Sequence, residues 1–339
     1  MRRVPDGLEK QRLACYDRLI TMGVFCHTPR SPYGTASAAA CVLLLSTLSF
    51  SQPAARSCSP NSVPAIHQAA DPVELVRKAV KNELKADQGV SEHFMFRGTK
   101  TYAKGSATRL YVETKEGTAG LIIAYDGKPL TPDQQRAEDA RLDRFLHNPD
   151  ELHKKRAQER EDAERTTRIV RALPDAFLYE YAGEVPGSSS IGRVGDPLVK
   201  FKFRPNPDYR PPSRVEEVLT GMQGHVLVDA VHYRIASIDG TLFKSVGFGW
   251  GILGHLNAGG HFVVHQQNVD NVWEISNMTV NFTGKILLVK SLNIESTEVF
   301  SDFKRISTDL TFAQAVELLK KEESALAEKL SSENLAEKK

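Results

Sequence analysis

Beyond position 58 the chain contains no cysteine. Its four cysteines, Cys15, Cys26, Cys41 and Cys58, all sit near the amino terminus. The rest of the chain therefore offers no disulfide, no thiol nucleophile and no thiolate zinc site, which suits an oxidising compartment. An excess of charge is missing as well. The 44 Lys and Arg residues nearly match the 42 Asp and Glu, leaving a net charge of +2, so no overall electrostatic argument favours nucleic acid. Long apolar runs are also missing: the longest, at 36–50, falls short of the roughly twenty residues a membrane helix needs. Catalytic signatures are equally scarce, with no H-E-x-x-H and no G-x-S-x-G. Ser301-Asp-Phe-Lys304 fits S-x-x-K but lacks the S-D-N and K-T-G that must accompany it. These absences point to a non-enzyme without cofactor or metal, and to a partner other than nucleic acid.

What is present begins with that apolar run. Arg30 precedes it, Ser49 and Ser51 supply small residues at its exit, and a Ser- and Pro-rich stretch follows, the pattern of a cleaved signal peptide. The expectation is an upstream extension and signal over 1–51, with Met22 a possible true start, then a linker over 52–70. The mature protein would be periplasmic, and not an integral membrane protein. Lipid anchoring is not expected, because Arg56 stands where a lipobox before Cys58 needs a small residue.

Asp71-Pro72-Val73-Glu74 combines an N-cap, a Pro at the first helical position and an acidic third residue, and so starts a helix. Three extended segments follow over 92–126, divided at Gly105, Gly117 and Gly120, as in an antiparallel meander. Thr131-Pro132 and Asn148-Pro149 each open a further helix, giving a helical insertion over 131–173. Between His153 and Thr167 it carries no apolar residue larger than Ala157 and Ala163. This stretch reads as a solvated, projecting helix held by i,i+4 pairs, with docking of an envelope partner as its functional alternative. Strands are expected at 176–184 and 198–204. Four prolines, Pro205, Pro207, Pro211 and Pro212, then keep the chain extended and unpaired. Six further strands are expected between Gly224 and Ile294, and a helix with a charged tail over 311–339. The β-rich part thus spans 71–310.

Gly249-Trp-Gly-Ile-Leu-Gly254 matches G-x-G-x-x-G, but no helix follows to meet a pyrophosphate. Along a strand, Gly247, Gly249 and Gly251 would instead leave one face bare opposite Phe248 and Trp250. His261 and His265, four apart in a strand, would stand about 13 Å from one another, too far to share a metal. His225, His232 and His255 read as surface residues.

Gly224-His-Val-Leu-Val-Asp229 followed by Tyr233-Arg-Ile-Ala-Ser-Ile238 resembles a hairpin of the bacterial lipoprotein-localisation carriers LolA and LolB. More widely, Phe203-Arg-Pro-Asn-Pro207, the run Val246–Leu253, Asn271-Val-Trp273 and Asp302-Phe303 resemble an uncharacterised bacterial family of exported proteins. The resemblance implies an α+β fold: a curved antiparallel half-barrel sheet, packing helices over its concave side, and the charged insertion as an addition. It also implies a lipid, a lipoprotein acyl group or another hydrophobic molecule as ligand, held on the concave face. Phe248, Trp250, Phe262 and Trp273 are the candidate ligand-binding residues. The alternative is a non-catalytic structural or interaction protein of the cell envelope, with that face filled by its own core; a hydrolase with scattered residues is the remote third.

Overall fold

The structure, a computed structural model, describes residues 71–88, 92–248, 254–286 and 290–336. The signal region, the cysteines, the linker, Trp250, Gly249 and Gly251 lie outside the described residues.

The architecture is mixed α+β. Its first helix, α1 (Pro72–Gln88), begins where the cap residue Asp71 accepts the Val73 amide. A meander follows: β1 (His93–Tyr102), β2 (Gly105–Val112), β3 (Ala119–Tyr125) and the short β4 (Lys128–Pro129). Helices α2 (Pro132–His147) and α3 (Pro149–Ala176) start at the expected caps. Thr131 and Gln134 form a reciprocal capping box, and the Asn148 side chain accepts the amides of Asp150 and Glu151.

Strands β5 (Phe177–Pro186) and β6 (Pro197–Pro205) flank a Gly/Ser loop, and a short helix α4 (Arg214–Glu217) runs into a 3-10 turn at Val218–Gly221. The second meander comprises β7 (Met222–Asp229), β8 (Arg234–Leu242), β9 (Val246–Phe248), β10 (Gly254–Leu256), β11 (His261–Val269), β12 (Val272–Ile286) and β13 (Lys290–Ile306). Helix α5 (Phe312–Ala336) closes the chain.

Among the described residues all thirteen strands join one antiparallel sheet whose main path runs β4-β3-β2-β1-β13-β12-β11-β8-β7-β6-β5, with β9 and β10 beside the end of β12. The two ends of the path do not pair, so the sheet is open. Among the described residues the first and last strands are neighbours in its middle, paired from His93–Ile306 to Tyr102–Ser296. Val246–Phe248 forms the short β9 and Gly254–Leu256 forms β10, which pairs with it, and β13 runs twelve residues beyond the expected end at Ile294.

The two larger apolar clusters among the described residues cover different parts of the sheet. The larger lies under α1 and the C-terminal part of α3, against β5 to β8, β11 and β12. The smaller packs Leu142 of α2 and Phe312, Val316 and Leu319 of α5 on Met95, Leu110 and Leu121 of the first meander.

The polar middle of α3 does not project. Arg156 donates to the Glu116 carbonyl at 2.6 Å and to its carboxylate at 2.9 Å, while the other oxygen of that carboxylate accepts the Phe312 amide at 2.8 Å. Asp162 is buried, and Lys155 is mostly buried against Glu159. Composition concealed this docking because the contacts are made by charged groups and by the apolar stems of long side chains.

Candidate functional site

The sequence places apolar residues on alternate positions of the second meander, and in the sheet these converge beneath two helices. Val226, Ile238, Phe262 and Phe282 rise from four strands, Phe177, Tyr179 and Phe203 from the β5–β6 hairpin, and Val76, Ile169 and Leu173 descend from α1 and α3. Together with Leu219 and Met222 they enclose a cavity of about 40 Å³. Tyr179 is the one lining residue with a polar side-chain atom, and its hydroxyl donates to the Leu173 carbonyl at 2.8 Å. Burial holds that phenol well above its ordinary ionisation range, with Asp175 adding to the shift. The cavity therefore presents no free polar group. It can solvate hydrocarbon and cannot perform acid–base or nucleophilic chemistry.

Three polar side chains hold α1 over this cavity. The Glu83 carboxylate accepts from Arg234 Nε at 2.9 Å, Arg234 Nη2 at 2.8 Å and the Ile235 amide at 2.8 Å. Asn82 donates to the carbonyls of His232 and Tyr233, and Lys78 sits 3.2 Å from the centre of the Tyr233 ring. The β7–β8 turn is thus the anchor of the helix.

Of the four candidate residues, the structure brings one to the cavity. Phe262 lines it and is buried. Trp273 is buried elsewhere, packed with Leu198 and Ala236 near Ile191 of the β5–β6 loop. In the β11–β12 pairing Trp273 stands opposite Asn268, six positions along β11 from Phe262 and so about 20 Å away, out of reach of the same cavity. Phe248 belongs to the short β9, off the main path, and Trp250 is outside the described residues. Part of the lining, notably Val76, Ile169 and Leu173, comes from helices whose apolar stripes were read as packing only. Their 3.6-residue spacing was visible, but the surface they would face was not.

A second grouping was invisible in the sequence. Asp229 at the end of β7, His232 in the following turn and Asp196 at the end of the β5–β6 loop bring one ligand atom each to within 4.8 Å of one another. His232 Nδ1 is 3.3 Å from Asp229 Oδ1 and 3.3 Å from Asp196 Oδ2. Read separately, His232 was a surface residue near a turn, and only the fold supplies Asp196. The pair His261–Asp239, at 2.9 Å, is exposed.

Among the described residues no helix is long and apolar enough to cross a membrane. No family model matches the chain, and no curated protein matches it. Among solved structures, a crystal structure of a DUF1329 family protein from Desulfovibrio piger is similar at 10% identity and a TM-score of 0.28, covering 74% of this chain and 100% of that one.

Proposed function

We propose that this chain is an exported envelope protein that binds and carries an apolar ligand, a lipid or a lipoprotein acyl group, between the sheet and the helices α1 and α3. The observation that carries the reading is the cavity lined by hydrocarbon and aromatic rings, whose single hydroxyl is already satisfied. Its volume of about 40 Å³ is far below the roughly 300–1,000 Å³ of small-molecule sites. An acyl chain must therefore enter by parting the helices from the sheet. The small volume is also what favours the second reading, a structural protein whose core is simply filled. Export is supported by the apolar run at 36–50 and its flanks.

Titration of delipidated protein with fatty acids of increasing length, read by calorimetry, separates the two. Each buried methylene contributes about 0.8 kcal/mol at most, so a carrier gives an affinity that climbs steeply with length and then levels off. Val226→Phe, which fills the cavity, should weaken binding at least tenfold. A flat response across the series, unchanged by Val226→Phe, leaves the structural reading in place.

A further inference from the structure

We infer that Asp196, Asp229 and His232 form a binding site for one divalent transition-metal ion, independent of the apolar cavity. The strongest indication is Asp229. It is completely buried, and its Oδ1 is accounted for by the amides of Val231 and His232 at 2.8 and 2.6 Å. Its Oδ2 has no hydrogen-bond partner. A buried carboxylate oxygen without a donor is costly and calls for a counter-charge. Turn geometry explains the first oxygen and leaves the second unexplained.

The remaining ligands suit a cation. Adjacent donors around a tetrahedral zinc ion stand roughly 3.3–3.5 Å apart, given metal–donor distances of about 2.0–2.2 Å. The Nδ1 of His232 lies 3.3 Å from Asp196 Oδ2 and 3.3 Å from Asp229 Oδ1, and one ligand atom of each residue lies within 4.8 Å of the others, so an ion there would meet the Asp229 carboxylate whose second oxygen is unpartnered. Two carboxylates balance a dication, and the imidazole favours zinc, manganese or iron over calcium and magnesium, which take oxygen ligands. The side chains of His232 and Asp196 are 34% and 27% exposed, leaving a way in from solvent and room for water as a fourth ligand.

Arg193 sets the proton balance. Its Nη1 is 3.3 Å from His232 Nε2. A guanidinium only donates, so Nε2 accepts and Nδ1 carries the proton in the metal-free protein. Metal binding at Nδ1 moves the ring proton to Nε2 with no net change on the imidazole, provided the exposed Arg193 side chain turns away to solvent. Arg193 therefore opposes the ion, both as a nearby positive charge and as a donor to the wrong tautomer.

The test uses full-length protein with its four cysteines alkylated, stripped of metal by chelation. Zinc is titrated by calorimetry, and cobalt(II) by its visible ligand-field bands. One equivalent should bind and should resist a tenfold excess of calcium. Asp196→Asn and His232→Gln should each weaken binding by roughly 100-fold or more, at or above the loss caused by removing an outer-shell partner. Arg193→Ala should tighten it, and Asp239→Asn, at the separate His261 pair, should leave it unchanged. Asp229→Asn also perturbs the acceptor that holds the turn, so the test relies on the other two ligands. Absence of a one-equivalent site, retention of it in either ligand variant, or weaker binding in Arg193→Ala overturns the proposal.

Discussion

Glu83 receives three donors from one short stretch of β8, and both it and Arg234 keep less than a sixth of their side-chain surface exposed. Glu83→Gln keeps the shape but leaves Arg234 charged and poorly paired. It should destabilise the fold by about 2–3 kcal/mol, measured as a lower denaturation midpoint at unchanged m-value; a loss under about 0.5 kcal/mol would show that the fork does not hold α1. Lys155 supplies a pH-dependent case. Burial, with Arg141 adding to it, lowers its pKa from 10.5 to about 8. Below about pH 8 the amine is protonated in the folded and unfolded chains alike, and the folded state bears the desolvation cost. Between about 8 and 10.5 the folded amine is neutral while the unfolded one still binds a proton, so this residue's contribution to stability rises with pH. Competitive acetylation mapped by mass spectrometry should give Lys155 a midpoint near pH 8, and Lys155→Met should abolish that part of the rise. At this scale strand alternation made the burial of Phe262 legible, whereas the packing of Trp273 on Leu198 and Ala236 depends on which distant strands become neighbours and leaves no local mark in the sequence.

Helix starts were the most legible elements, since a cap, a following proline and an acidic or amide third residue all act within four positions. Both Thr131 and Asn148 cap as read. The end of α3 was less legible, because the helix carries Pro174 in its last turn and continues to Ala176. Least legible was what α3 rests on. Arg156 and Glu116 are forty positions apart, and Glu116 in turn meets the start of α5; no local pattern encodes that link. The consequence reverses the expectation of a solvated arm. Replacing 153–167 with a flexible bridge removes the Arg156 clamp and the burial around Asp162, and should lower the melting temperature by several degrees, whereas a projecting arm would leave it nearly unchanged. Arg156→Ala alone should cost about 1 kcal/mol, the usual size of a partly exposed hydrogen-bonded contact.

The order of the sheet sets how the whole molecule folds. β1 and β13 stand about two hundred positions apart in the chain, yet pair along nearly the full length of β1, so the first meander gains a second neighbour only after the last strand is in place. Such pairing must bear its loop-closure entropy before any contact offsets it, which predicts slow folding. It also joins the two apolar clusters, because β13 pairs β12 of the larger and β1 beside the smaller. Two clusters on one chain would suggest two independently melting units, but a shared central pair of strands opposes that. The protein carries two tryptophans; with Trp250→Phe, fluorescence reports Trp273 alone, which packs with Leu198 and Ala236 outside the smaller cluster. Leu142→Ala in the smaller cluster should cost about 2–5 kcal/mol and should shift the Trp273 transition together with the helical signal in circular dichroism. If the helical signal moved while the Trp273 transition stayed in place, the halves of the sheet would be separate cooperative units, and the β1–β13 pairing would be a contact between them instead of the spine of one.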